Sequence, residues 1–425
     1  MKKWLIPLIL LTVNPGILAQ PDETNYDESK VPDYTLPPVL ETVSGREVPD
    51  VDTWVESRQP EILQLFKDHV YGNIPSAPIE AASRIIAHKE GALGGIAVRD
   101  EVVITLSGAG NKIELNLMVY LPKNSAGPVP IFLGLNFYGN HTISPESDVQ
   151  MSAAWMRNNE NFGIRDHRSH NGIRSVRESR WQVENIIRRG YGLATIYYGD
   201  IDPDTHDGFK NGAHSLFGGE DAERNDSSWG SISAWAWGLS RALDYLLTDE
   251  RIDGDKIAVI GHSRLGKTSL WAGALDPRFA LVISNDSGCG GAALSRRAYG
   301  ETVKRITTSF PHWFCAKFSE YGGKEEMLPV DQHLLIALMA PRPVYVASAV
   351  EDRWADPRGE FLAAKHASPA WELYGLNGLP TDEMPGLNSP ATGFVGYHIR
   401  SGGHDVTAYD WEQYLDFADL HFGKK

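Results

Sequence analysis

One stretch near the middle of the chain, residues 255–291, most constrains what this sequence can fold into. Residues 257–260 (IAVI) are a short apolar run, which is typical of a strand buried on both faces. A tight turn around Ser263 follows, and residues 268–275 then have the pattern of a helix. Residues 279–283 are apolar again. The stretch therefore predicts a strand-turn-helix-strand unit, the building block of a parallel sheet covered by helices.

Ser263 stands at the strand-turn-helix junction. Such a serine is lifted out of the sheet by the sharp turn, and the amide after it can face a developing oxyanion. The usual pattern is G-x-S-x-G, but here Leu265 takes the fifth position and the glycine falls one residue later, at Gly266. The best base for the hydroxyl is His404, in a glycine-rich loop between an apolar strand and the last helix. The order serine, acid, histidine matches that of α/β-hydrolases.

Further motifs follow Ser263 along the chain. They are SRLGK at 263–267, DSGCGG at 286–291, LPVDQH at 328–333, MAPR at 339–342, EDRW at 351–354 and SGGH at 401–404. Together, over about residues 128–422, they resemble the bacterial type of the glucuronoyl esterases, carbohydrate esterase family 15. The resemblance implies an α/β-hydrolase that cleaves the ester joining 4-O-methyl-glucuronic acid on xylan to lignin alcohols.

The resemblance also implies a substrate site around the serine. Lys267 is expected to hydrogen-bond the hydroxyls of a uronate, and Glu301 and Trp354 to contact its ring, since a tryptophan face suits sugar C–H groups. The alternatives for these two are a surface glutamate and a core tryptophan. Arg264 can stabilise an oxyanion through its amide and its guanidinium, or it can form a salt bridge that fixes the turn. Phe137 follows the first clearly buried strand, where α/β-hydrolases place the second oxyanion amide.

Two aspartates compete for the role of the acid that orients His404. Asp352 follows the strand predicted at 343–348, where most α/β-hydrolases keep their acid. Asp286 follows the preceding strand, 23 residues after Ser263, where the fungal glucuronoyl esterases keep a glutamate. One missing methylene shortens the reach by about 1.5 Å, and a catalytic hydrogen bond needs heavy atoms about 2.6–3.2 Å apart. We therefore favour Asp352 and leave Asp286 as a second acid or a structural group.

Strands and helices alternate along most of the chain. This predicts an α/β-hydrolase three-layer sandwich, in which a mostly parallel sheet has helices on both faces. Two leading strands, 101–106 and 114–121, alternate apolar and polar residues and are expected to be antiparallel. The other predicted strands are 128–135, 191–198, 343–348 and 394–400, and the other predicted helices are 54–71, 231–249, 359–366 and 406–422.

Three segments fall outside this alternation. Residues 1–19 carry two lysines, an apolar run and a final Ala19, which predicts a secretory signal peptide and a secreted or periplasmic protein. Residues 20–48 are polar and contain prolines, so they predict an N-terminal arm before a single catalytic domain at 49–425. Residues 141–189 form a long insertion, which we interpret as a lid or wall beside the active site.

The composition and motif content limit the classes of partner and cofactor that the protein is expected to bind. The formal charge of −15 disfavours nucleic acid and anionic membranes, and we expect a monomer that acts on glucuronoxylan and lignin-carbohydrate esters. No CxxC, HExxH, P-loop or dinucleotide motif occurs in the sequence, so no metal or nucleotide cofactor is implied. The two cysteines, Cys289 and Cys315, would meet an oxidising compartment after export, and the sequence leaves open a disulfide or two buried thiols.

Two other functions stay open. The chain could be an acetylxylan esterase or another secreted carboxylesterase, but an acetyl group presents nothing for Lys267 and Glu301 to bind. It could also be a non-catalytic carbohydrate-binding relative, against which the intact pair of Ser263 and His404 argues.

Overall fold

The structure, a computed structural model, describes residues 24–423. The strands are β1 (Glu80–Gly91), β2 (Ala97–Gly108), β3 (Asn111–Pro122), β4 (Val129–Asn136), β5 (Gly192–Tyr197), β6 (Ile252–His262), β7 (Leu281–Asn285), β8 (Val344–Ala349), β9 (Ala391–Thr392) and β10 (Val395–Arg400). The α-helices are α1 (Val51–Thr53), α2 (Gln59–Phe66), α3 (Ala92–Gly95), α4 (Glu178–Trp181), α5 (Val183–Arg188), α6 (Tyr198–Ile201), α7 (Gly212–Ser215), α8 (Ser231–Leu246), α9 (Arg264–Leu275), α10 (Val303–Ser309), α11 (Gln332–Ala337), α12 (Pro357–Ala367), α13 (Pro369–Glu372) and α14 (Ala408–Phe422). The predicted signal peptide, residues 1–19, lies outside the described residues.

The ten strands form one sheet in the order β1-β2-β3-β5-β4-β6-β7-β8-β10-β9. The run from β5 to β10 is parallel throughout. On the other side β1 pairs with β2, β2 with β3 and β3 with β5, all antiparallel. The short β9 is antiparallel to β10. Parallel strands present their carboxyl ends at one edge of a sheet, so the loops after β4, β6, β7, β8 and β10 meet there. The predicted α/β-hydrolase fold class is confirmed.

Alternation along β6 divides the core into two layers. Ile257 and Val259 belong to the larger apolar cluster, together with the buried faces of α8 and α9. Ala258 and Ile260 point the other way and belong to a second cluster, which includes α14. All four side chains are buried, as expected for a strand covered on both faces.

Most predicted elements are present, and the differences have local causes. The strand β1 was not predicted because it is exposed along most of its length and shows no alternation of apolar and polar residues. The helix predicted at 268–275 begins earlier, at Arg264, because Gly266 in its first turn weakens the helical signal. The helix predicted at 54–71 lies within a continuous helical stretch at 51–71.

The segments outside the sheet pack against it. In the predicted arm, the carbonyl of Pro37 accepts a hydrogen bond from His333 (2.8 Å), and the described part contains one short 3-10 turn, Glu28–Lys30. The boundaries predicted for the arm and the domain stay predictions. Cys289 and Cys315 are both buried and both free thiols. Within residues 24–423, no helix has the length and apolar character needed to cross a membrane.

Candidate active site

Ser263 lies between β6 and α9, in the sharp turn that the sequence predicts. Its backbone has φ 58°, a conformation that non-glycine residues rarely adopt. A Cβ at Gly261 would lie 1.8 Å from the carbonyl oxygen of Leu265, so this position requires glycine. At Gly266 an added Cβ would meet the Ser287 side chain at 3.0 Å, which is tight but not an overlap. The indispensable glycine is therefore Gly261, two residues before the serine, and Leu265 fits in the place of the usual second glycine.

His404 bonds Asp352 at the carboxyl edge of the sheet. Among the contacts of ordinary hydrogen-bond length that involve a predicted site residue there, this one is the shortest. The Nδ1 of His404 lies 2.6 Å from Oδ2 of Asp352. The carboxylate is buried, with 6% of its side chain exposed, whereas 43% of the imidazole is exposed. An ionised carboxylate only accepts, so Nδ1 carries the proton and Nε2 keeps a free lone pair.

Asp286 lies close to this pair without bonding to it. One ligand atom from each of Asp286, Asp352 and His404 lies within 4.8 Å of the others, which makes them the one group among the described residues compact enough to hold a metal ion. The Oδ2 of Asp286 is 3.4 Å from a guanidinium nitrogen of Arg400, and Oδ1 has no hydrogen-bond partner. Burial raises the pKa of Asp286 well above its usual range. The carboxylates of Asp352 and Glu360 add to this rise.

Glu360, which sequence reasoning missed, fixes the backbone after Asp286. From α12 its Oε1 accepts the amides of Ser287 (2.7 Å) and Gly288 (2.9 Å), and its Oε2 lies 2.6 Å from the hydroxyl of Ser348. Burial raises the pKa of Glu360 to about 8. The only signal in the sequence is a glutamate within the otherwise apolar inner face of α12.

Arg264 is held by an aspartate that the sequence did not single out. Its guanidinium pairs with Asp204 and lies 4.7 Å from the ring centre of Trp313. Asp204 also accepts hydrogen bonds from His312 (2.9 Å) and Trp313 (2.7 Å). Burial acts to raise the pKa of Asp204, but Arg264 and these two donors hold it below its usual range. The salt bridge is thus present, and 22% of the Arg264 side chain remains exposed.

Lys267, Glu301 and Trp354 come together beside the elbow. The ammonium of Lys267 is 3.8 Å from Oε2 of Glu301 and donates to the carbonyl of Ser287. The amide of Glu301 donates to the carbonyl of Trp354 (2.9 Å), whose side chain is half-buried. Burial raises the pKa of Glu301, and Lys267 opposes that rise. A buried cation and a buried carboxyl group therefore share a site one helical turn from Ser263.

Phe137 and the insertion line the other side. Phe137 follows β4, and its ring centre is 5.6 Å from the Arg264 guanidinium and 6.2 Å from the ring of His262. Phe137, His262 and Arg180 line a cavity of about 30 Å³. Arg180, from the insertion at 141–189, donates to the carbonyl of His404 (3.4 Å). The insertion thus contacts the histidine loop, and its interpretation as a lid or wall stays a prediction.

The sheet order and the strand-serine-helix elbow define the class as an α/β-hydrolase. Residues 209–375 match the family model described as glucuronyl esterase, fungi. A carbohydrate esterase named MZ0003, from an unknown prokaryotic organism, is 49% identical over 98% of this chain and 96% of its own. The chain therefore belongs to carbohydrate esterase family 15 and is a carboxylic ester hydrolase.

Two solved structures agree with this assignment. A promiscuous esterase of the same family from a marine bacterial metagenome shares 50% identity with a TM-score of 0.88, over 94% of this chain and 100% of that one. A glucuronoyl esterase from Solibacter usitatus shares 47% identity with a TM-score of 0.87, over 93% of this chain and 100% of that one.

Proposed function

We propose that this enzyme hydrolyses esters of glucuronic acid and its 4-O-methyl ether, with Ser263 as nucleophile and His404 as base. The observation that carries the proposal is the conjunction of the His404–Asp352 hydrogen bond with the buried Lys267–Glu301 pair beside Ser263. The first supplies ester chemistry, and the second supplies a donor and an acceptor for a polar acyl group.

The mechanism follows from the roles of these groups. Through Nε2, His404 takes the proton of the Ser263 hydroxyl as the oxygen attacks the uronate carbonyl, and Asp352 stabilises the imidazolium that forms. The amides of Arg264 and Phe137, with the Arg264 guanidinium, hold the developing oxyanion. The alcohol leaves with the proton from His404, and water then hydrolyses the acyl-enzyme by the same steps.

The acyl group is recognised by its hydroxyls and its ring. Lys267 donates to sugar hydroxyls and Glu301 accepts from them, while the Trp354 face covers ring C–H groups. An acetyl ester offers neither hydroxyls nor a ring, so an acetylxylan esterase would leave the buried pair unused. The existing pair of Ser263 and His404 likewise disfavours a non-catalytic carbohydrate-binding role.

The proposal extends to the natural substrate and to the compartment in which the enzyme acts. The ester proposed as its natural substrate is the one joining glucuronic acid on xylan to a lignin alcohol, which is the substrate that the resemblance to glucuronoyl esterases implies. An enzyme acting on such a polymer has to leave the cell, in keeping with the signal peptide predicted at residues 1–19.

A comparison of substrates tests the proposal. We expect rapid hydrolysis of methyl 4-O-methyl-glucuronate, slower hydrolysis of methyl galacturonate, and little release of acetate from acetylated xylan. Ser263→Ala is the control and should lower kcat by several orders of magnitude. Faster turnover of acetylated xylan would favour the acetylxylan esterase instead. A folded Ser263→Ala enzyme retaining more than about a tenth of the activity would contradict the mechanism.

A further inference from the structure

Arg400 is the last residue of β10 and has a buried guanidinium aimed at the loop that carries His404. Its Nη1 donates to the carbonyls of Ser401 (3.1 Å) and Gly403 (3.0 Å). Its Nη2 donates to the carbonyl of Asp405 (2.5 Å). Only 2% of Arg400 is exposed. The residues immediately before and after His404 thus both have their carbonyls bound by one side chain.

The guanidinium is itself anchored to the last helix. Its Nε donates to Oδ2 of Asp410 at 2.7 Å. That carboxylate also accepts the amide of Thr407 (2.7 Å), which caps α14, and its other oxygen accepts from His398 (2.9 Å). Contacts from both β10 and α14 therefore fix the Asp410 carboxylate. Arg400 joins this fixed group to the loop between β10 and α14.

Other groups contact the loop as well. Residues 401–407 form neither helix nor strand, and Gly402 has φ 92°. The amide of Ser401 donates to Asn388 (3.3 Å), and the carbonyl of Gly402 accepts the amide of Glu351 (3.0 Å). Arg180 binds the carbonyl of His404 and pairs with Asp405, and the imidazole itself bonds Asp352. Arg180 is on the insertion and Glu351 follows β8, so Arg400 is the anchor that belongs to the strand leading into the loop.

We propose that Arg400 is a positioning residue for His404: by binding the carbonyls on both sides of it, the guanidinium sets the imidazole between Asp352 and Ser263. Asp286, 3.4 Å from the same guanidinium, then limits where Arg400 can lie and does not act on His404 directly. This inference rests on the proposed function, in which His404 is the base.

The number of donors decides which substitutions preserve the role. Arginine presents five N–H donors in a planar fork and here reaches two carboxyl groups and three carbonyls. A lysine at this position keeps the charge and one contact with Asp410, but a single ammonium cannot span all the acceptors. Arg400→Lys therefore separates the effect of the positive charge from the effect of the hydrogen-bond geometry.

The test compares Arg400→Gln and Arg400→Lys with the wild type on methyl glucuronate. We expect both variants to lower kcat by about 10²-fold while KM changes less than about threefold, because misplacing a catalytic group by an ångström has this effect. The proton resonance of the His404 Nδ1–H that Asp352 accepts should also shift or broaden in both variants. That signal reports the imidazole itself, which a purely structural role would leave unchanged.

Arg342→Gln is the matched control. Arg342 stands before β8 at the opposite edge of the sheet and donates to the carbonyls of Gly273 (2.7 Å) and Phe279 (2.8 Å). Its loss should lower thermal stability but leave kcat within about threefold, since no catalytic group moves.

Two results would overturn the role of Arg400. The first is a kcat for Arg400→Gln within threefold of the wild type, and the second is a full return of kcat in Arg400→Lys. If Arg400→Gln does not fold, Arg400→Lys decides by the same criteria. His404→Ala is measured alongside: if it stays active, or if the wild type does not cleave the ester, the proposed function has failed rather than the role of Arg400.

Discussion

Asp352 and Asp286 both lie near His404, and replacing each by asparagine decides which one orients it. Asparagine keeps the size of the side chain but removes the anion. At the orienting position the amide also turns the imidazole to the wrong tautomer, which costs about 10⁴-fold in kcat. That loss equals about 5.4 kcal/mol of transition-state stabilisation at 1.36 kcal/mol for each tenfold change.

The structure assigns the large loss to Asp352. Its oxygen is 2.6 Å from Nδ1 of His404, whereas the Asp286 carboxylate makes its contact, at 3.4 Å, with Arg400. Burial, together with the nearby carboxyl groups of Glu360 and Asp352, raises the pKa of Asp286 and so favours its neutral form, which an amide resembles. We therefore expect Asp352→Asn to lose about 10⁴-fold and Asp286→Asn no more than about 10–100-fold, the scale of supporting groups.

The assay is steady-state hydrolysis of methyl glucuronate, with thermal melts to verify folding. The double variant tests whether one acid substitutes for the other: independent roles give the product of the single losses, and substitution gives a far larger loss. A nearly inactive Asp286→Asn beside an active Asp352→Asn would refute the reasoning and exchange the two roles.

Three further outcomes are expected. Gly261→Ala should abolish folding or activity because its Cβ would overlap the carbonyl of Leu265, whereas Gly266→Ala, with a contact at 3.0 Å, should retain a measurable fraction of kcat/KM on methyl glucuronate. Lys267→Met should raise KM for methyl glucuronate by about 10–100-fold, the loss of one or two hydrogen bonds to a charged donor, and leave phenyl acetate hydrolysis nearly unchanged. Burial raises the pKa of Glu360 from 4.5 to about 8, so the folded state holds a proton that the unfolded chain has released, and stability falls as the pH rises across that window. In Glu360→Gln, which keeps the shape of the neutral form, melting temperatures measured from pH 5 to 8.5 should fall less than in the wild type.

The central fold could be predicted because its signals are local. The run at 257–260 is apolar at every position, and burial on both faces is what such a run requires. The edge strand β1 carries no such signal, since its residues face solvent and its place depends on pairing with β2. The register of β1 with β2 is set only in the folded sheet, so an exposed edge strand shows no pattern of it in the sequence.

The motif residues of the site could be named from the sequence, but their supports could not. Asp204 is 60 residues from the Arg264 that it pairs with, and Glu360 is 73 residues from the Ser287 amide that it accepts. An acidic residue read alone is most often a surface residue. Only the fold shows that these two are buried against a partner far along the chain.

The supports share one physical cause. Loops at the carboxyl edge of a parallel sheet have left the hydrogen-bond ladder, so their backbone groups need other partners, above all in the buried loop after β7. Glu360 satisfies two amides after β7, and Arg400 satisfies three carbonyls after β10. Both side chains suit this task because each one serves several backbone groups, and the Arg400 guanidinium adds charge-assisted hydrogen bonds, which are stronger than those between neutral groups. The same bonds that stabilise these loops therefore set the positions of Asp286 and His404, so a sequence could keep every motif and still lose the geometry of the site by losing a residue outside them.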